Sequence, residues 1–294
     1  MGMTHKETLQ KLVAAGMRLR YGDHPTKQVL LRYLWEMKHI IDAGHIDYYL
    51  MAFWIFRHYA DSAGISFWAR GAMPSSIVCY ALMLTDIDPV KYGLNSVRFV
   101  NDELPKFQFD IEASRFNEFM NRAEEILAEN AKDFDITAIK ACLFKEDVKV
   151  GEKMKITYLT PCEYLSRKHE RPLPESIDDE LARYALYFPG TMDLYEAYIK
   201  QPSTLNGLIY QEQMLDILRQ VFHVGSIKAD QIRLAIQRGE AQQVEAYRQK
   251  LFSDLKDITP DEAERAWQRL TSNPRAFLKA HAISQVLAKY KFDF

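Results

Sequence analysis

The nine residues Leu104–Glu112, LPKFQFDIE, alternate in character: Phe107, Phe109 and Ile111 fall on one side of an extended chain, with Lys106, Gln108, Asp110 and Glu112 on the other. Such a strand, with a polar face open for chemistry, sits among segments of helical period and makes the chain α+β. On one side of it, LLRYLWEMKHIIDAG (30–44) repeats apolar residues every three or four positions, which predicts a helix stopped at Gly44. IDYYLMAFWIFRHYADSAG (46–64) is apolar on nearly every side until Arg57, as a buried helix ending near Gly64 would be, and its aromatic rings read as core. SSIVCYALMLT (75–85) predicts a short helix before the reversal at Asp86–Pro89.

On the other side, helical period resumes from Ala113 to Glu129. DFDITAIKACLF (133–144) reads as a second strand carrying Asp133 and Asp135, and the charged interval Lys145–Lys155 as a hairpin or loop. From Ile177 the chain reads mostly as helices, broken at YFPGTMD, QPSTLNG, HVGS and TSNP. A boundary near residue 170 therefore separates a mixed domain, 1–170, from an all-helical one, 171–294.

At 294 residues and 48% hydrophobic content the chain can bury a full core, and 38 basic against 40 acidic residues leave a net charge of −2. Any contact with nucleic acid must come from a local patch. Cys79, Cys142 and Cys162 are widely spaced, which argues against a zinc site or disulfide framework and suits a reducing cytoplasm. The first 22 residues have scattered charge and no long apolar run, so neither a signal peptide nor a membrane span is expected.

Five blocks, in order, resemble the alpha subunit of bacterial DNA polymerase III, the C family of replicative polymerases. The run HIDYYLMAFWIFRHYADSAGISFWARGAMPSSIVCYALMLTDIDPVKYGLNSVRF (45–99) is similar to the family's stretch from the palm helix through its GRGS phosphate motif to "LDPL" and "ERF". ALYFPGTMD (185–193) resembles "ALYRPGPMD", GLIYQEQM (207–214) resembles "GVIVYQEQVM", and KADQIRLAIQRG (228–239) resembles the fingers helix "EADLLRRAMGKK". FLKAHAISQVLAKY (277–290) is similar to "FNKSHAAAYALIAY". The resemblance implies a palm-like domain, with a small nucleotidyltransferase-like sheet and packed helices, followed by a helical fingers-like domain. The family's N-terminal phosphoesterase domain and its later helix-hairpin-helix, OB-fold and subunit-binding regions have no counterpart in these residues, so a compressed core is expected.

The family's strand ends in the pattern PDFDxDF, whose first two aspartates hold the paired magnesium ions of phosphoryl transfer. Aligned on Pro105, those positions hold Lys106, a cation, and Gln108, one neutral carbonyl. Only Asp110 meets an acidic family position, the third. The plain reading is a lost metal site. The competing one is displacement: Asp110 and Glu112 share a face and form a carboxylate pair further along the strand, with Asp135 as the third ligand by its likeness to the family's "KFDFLGL". On that alternative Asp110, Glu112 and Asp135 are catalytic, Asp110 and Asp135 bind metal, and Mg2+ or Mn2+ is the cofactor. A solvated strand face carrying two acids is the plainer account of Asp110 and Glu112.

The family's GRGSAAGS motif becomes ARGAMPSS (69–76): Arg70, Gly71 and Ser76 stay, the motif serine is Ala72, and Pro74 removes an amide donor. The resemblance carries a phosphate-binding role to Arg70, Gly71 and Ser76, and likewise to Arg233, Arg238, Lys279 and His281 in the fingers-like part. Several of their polar neighbours have turned apolar, as at Leu234, Leu278 and Ala280. As alternatives, Arg70, Arg233 and Arg238 are ordinary surface or helix-end cations and His281 a satisfied, partly buried histidine. RQKLF (248–252) is a poor match to a clamp-binding peptide. The expectation is a catalytically inactive pseudo-polymerase that binds DNA, a nucleotide or a protein partner, as a subunit or homo-oligomer; the alternative is an active minimal nucleotidyltransferase.

Overall fold

The computed structural model describes residues 2–143, 173–187, 191–202 and 207–291. The chain divides into two compact units, Met1–Thr157 and Tyr158–Phe294. The interval Lys145–Lys155, Cys162 and residue 170 all lie outside the described residues.

The first unit is helical around a two-stranded sheet. Helix α1 spans His5–Tyr21 and opens on a capping box in which Thr4 and Glu7 satisfy each other's backbone N–H groups. Helix α2 spans Lys27–Asp42 and ends before Gly44, whose φ of +71° lets the chain turn. The apolar segment after it forms α3, Ile46–Ala52, which widens into a π-helical stretch over Phe53–Ala60. Strand β1, Phe67–Ala69, pairs antiparallel with β2, Phe109–Ile111, so that Phe67 faces Ile111, Trp68 faces Asp110 and Ala69 faces Phe109. Between the strands lies α4, Ile77–Ala81. Gly16 admits α4 closely: a Cβ there would stand 1.9 Å from the carbonyl oxygen of Ala81. After β2 come α5, Phe116–Glu129, and α6, Ile136–Leu143.

Of the nine residues LPKFQFDIE only Phe109–Ile111 form strand, shorter than the alternation predicts, yet the alternation still sorts the side chains. Phe107 and Ile111 are buried, and Phe109 stacks on Phe56 with ring centroids 3.6 Å apart. Phe56 also meets Phe67 and Phe119, while Tyr49 meets Phe99 and Phe107, so aromatic rings from α3, the π-helical stretch and both strands share one core.

One element is corrected. Residues 136–143 form a helix where a second strand was expected. Ile139, Cys142 and Leu143 are buried at three- and four-residue spacing, and the carboxylate of Asp135 accepts from the N–H of Ala138 at 3.1 Å, a cap that commits the chain to helix. Its end reaches the strand segment, for the N–H of Phe107 donates to the carbonyl of Cys142 at 3.1 Å.

The second unit, among the described residues, consists of α7 (Ile177–Leu186), α8 (Met192–Lys200), α9 (Gln211–Gln220), α10 (Ser226–Arg238), α11 (Ala241–Ser253), α12 (Pro260–Thr271) and α13 (Lys279–Lys291). Glu180 on α7 joins α13 by accepting from Tyr290 at 3.0 Å and from the ammonium of Lys289. A parallel bridge ties the entry of α9 to that of α13: Gln211 N–H donates to Phe277 O and Phe277 N–H to Ile209 O, each at 2.8 Å. Among the described residues no helix is long and apolar enough to cross a membrane.

Candidate functional site

The polar face of β2 meets the turn that follows β1. The N–H of Arg70 donates to the carbonyl of Gln108 at 2.9 Å, which extends the ladder by one residue and sets Arg70 beside the polar face. Arg70 Nε lies 3.4 Å from Asp110 Oδ1, with Asp110 nearly buried and Arg70 half-exposed. Gly71, at φ +66°, lies directly under the side chain of Gln108, where an added Cβ would stand 2.0 Å from Gln108 Oε1. Arg70, Gly71, Gln108 and Asp110 are therefore brought together. Lys106 is exposed.

Glu112 shares the face with Asp110 but is engaged locally. Its carboxylate accepts from the Ser114 hydroxyl at 2.5 Å and from the Ser66 N–H at 3.4 Å, and these bonds hold its pKa below the ordinary carboxylate value. Asp135 is exposed and caps α6.

Ser76 lies at the buried start of α4, and its hydroxyl donates at 2.8 Å to Glu36 Oε2. Glu36 is 0% exposed, and its carboxylate also accepts from the N–H groups of Ile77 at 3.1 Å and Val78 at 3.2 Å and from Arg32 Nε at 3.1 Å. Arg32 continues to the carbonyls of Leu94 and Ser75. The amides that an external anion would require are thus supplied with an internal one. This network, absent from the expectations above, has one signal in the sequence: Glu36 falls within the buried series Val29, Glu36, Met37, Ile40 of an amphipathic helix, and a carboxylate on an apolar face demands partners.

The basic residues of the second unit are differently placed. Arg233 on α10 is 2% exposed, with Nε 2.7 Å from Asp230 Oδ1 and a second bond to Gln237. Arg238 is exposed, 3.7 Å from Glu240. Lys279 and His281 are half-buried on α13; the Lys279 N–H donates to Glu212 at 3.0 Å, its ammonium lies 5.8 Å from the Tyr210 ring centre, and His281 packs beside Phe277.

The metal pair implied by the family resemblance does not fit these residues. A cation and a neutral amide stand at the two family positions, Asp110 faces a guanidinium, and Glu112 and Asp135 are spent on local turns. No group of three or more His, Cys, Asp or Glu side chains among the described residues is placed to hold a metal ion.

The first unit is thus a mostly helical α+β unit with a two-stranded sheet and an Arg-Gly turn against the polar face of a strand. Residues 7–173 match the family model described as the bacterial DNA polymerase III alpha NTPase domain, and the chain belongs to that family. It is 36% identical over 115 residues to an error-prone DNA polymerase of Anaeromyxobacter sp. (strain K), covering 38% of this chain and 10% of that one. It is 36% identical over 117 residues to the DNA polymerase III subunit alpha of Halalkalibacterium halodurans and 39% over 108 residues to that of Borreliella burgdorferi, covering 38% and 35% of this chain and 10% and 9% of theirs. The matched part spans about a tenth of the length of these curated relatives.

Proposed function

We propose that this chain is a catalytically silent polymerase core, with palm-like and fingers-like parts retained as a scaffold that binds DNA, a nucleotide or a protein partner in DNA replication. The observation that carries the reading is the seat of Gln108. Its neutral side chain lies over Gly71 at a family metal position, beside an Asp110 that faces Arg70 at 3.4 Å. An amide carbonyl is a far weaker magnesium ligand than a carboxylate, and an arginine at ion-pairing distance competes for the acid that remains. Function resides in the site rather than the fold, so template copying by the relatives does not pass to this chain by descent alone.

The alternative, an active nucleotidyltransferase using Asp110, Glu112 and Asp135 with Mg2+ or Mn2+, needs three carboxylates to converge. It is served less well by a Glu112 engaged with Ser114 and Ser66 and an Asp135 engaged with Ala138.

The test is incorporation of deoxynucleotides by the purified chain on a primed template with Mg2+ or Mn2+. No incorporation is expected, and manganese titration should show no tight site until Lys106→Asp and Gln108→Asp are introduced together. Incorporation abolished by Asp110→Asn would overturn the proposal.

A further inference from the structure

A cavity of about 620 Å3 opens in the second unit between the loop before α10, α10 itself and the second half of α11. Its volume is that of a ligand or anchor pocket, for which roughly 300–1,000 Å3 is usual. Val224, Leu251 and Leu255 supply aliphatic surface over the buried Ile232, and the charged lining comprises Lys228, Lys250 and Lys256 against one carboxylate, Asp254. That excess of positive charge is local, in a chain whose net charge is −2.

A second observation concerns α11. None of its 13 residues is buried, although Tyr247 and Leu251, one turn apart, line the cavity. A helix in a folded unit is held mainly by burial of an apolar stripe, so α11 presents apolar surface that its own unit covers only in part. The ammonium of Lys228 lies 4.4 Å from the Tyr247 ring centre and 3.4 Å from its hydroxyl, so that ring face already carries a cation. His223, at φ +51°, stands at the rim with Nε2 3.5 Å from Asp257.

We propose that this groove docks an acidic amphipathic peptide segment of a protein partner, with aliphatic or aromatic anchors on the apolar surface and carboxylates toward Lys228, Lys250 and Lys256. Charge complementarity selects the acidic partner. The groove's tyrosine and phenylalanine rings are both engaged, Tyr247 by Lys228 and Phe222 by Phe252 and Trp267, which with the aliphatic surface favours peptide over single-stranded nucleic acid, for that would need free aromatic faces for stacking bases. The inference names a partner class for the scaffold role and rests on it. Nucleotide incorporation by the chain would remove that role without changing the outcome of a binding selection, so the two fail separately.

The experiment is selection of a displayed random 12-residue peptide library on the intact chain. Binding of the enriched peptides, and of a ten-nucleotide oligothymidine, is then compared between the wild type and the Lys250→Glu/Lys256→Glu variant. Both lysines are exposed, so the folded helix content should survive, as circular dichroism will check. Enriched peptides should combine Asp or Glu with Leu or Phe, bind about tenfold or more weakly to the variant, and weaken with salt. The proposal is overturned by failure to enrich any peptide, by peptides that are basic or indifferent to the variant, or by oligothymidine binding that the variant abolishes.

Discussion

The hydroxyl of Ser76 donates to the buried carboxylate of Glu36 at 2.8 Å, and the same carboxylate accepts from the first amides of α4 and from Arg32. Removing Glu36 leaves a largely buried guanidinium and helix amides without their anion. Glu36→Ala should therefore cost about 3–5 kcal/mol of folding stability, with Glu36→Gln milder. Ser76→Ala should cost about 1–2 kcal/mol, as loss of a buried cap does. Urea unfolding of the three variants measures this; a Ser76→Ala variant as stable as wild type would mean that the serine is held in reserve for an external ligand.

Gly71 and Gln108 make a second pair whose cost can be divided. Gly71→Ala places a Cβ in a left-handed backbone conformation, at about 1–2 kcal/mol, and in the path of Gln108 Oε1. The glutamine end can swing aside, so the steric share should be below about 1 kcal/mol and vanish in a Gln108→Ala background. A double-mutant cycle by chemical denaturation separates the shares. A Gly71→Ala cost that disappears entirely with Gln108→Ala would show that the backbone angle contributes nothing.

His45, at the entrance to α3, is 7% exposed, and burial pushes its pKa below the ordinary 6.5, with the charge of Asp102 opposing in part. The unfolded chain takes up this proton more readily than the folded one. The neutral form's contribution is thus complete above about pH 6.5 and lost as the pH falls from there toward the lower folded pKa. The melting temperature should decline as the pH falls below about 6.5, and the decline should flatten in His45→Gln. An identical pH profile in the variant would assign the acid sensitivity to other groups.

The segment 133–144 shows why one local reading failed. Ile136, Ile139 and Leu143 satisfy a helical spacing, while the β-branched residues and the flanking DFD also read as a strand. Packing against α3 and the Asp135 cap select the helix. Strand β1 was missed because three residues, FWA, carry too short a pattern to register; pairing with β2 defines it.

The sequence by itself determined the alternating faces of LPKFQFDIE, the buried aromatic helix, the helical series after Ile177, and the presence of a cation, Lys106, and a neutral amide, Gln108, on the polar side of that segment. These are statements of period and residue identity, which travel along the chain. Only the tertiary structure decided that Gln108 covers Gly71, that Asp110 faces Arg70, and that Ser76 answers to Glu36 rather than to solvent. Each of those pairs joins distant positions in the chain. Their meeting depends on strand register, and on the need of a buried carboxylate for donors, neither of which is written in any one local stretch.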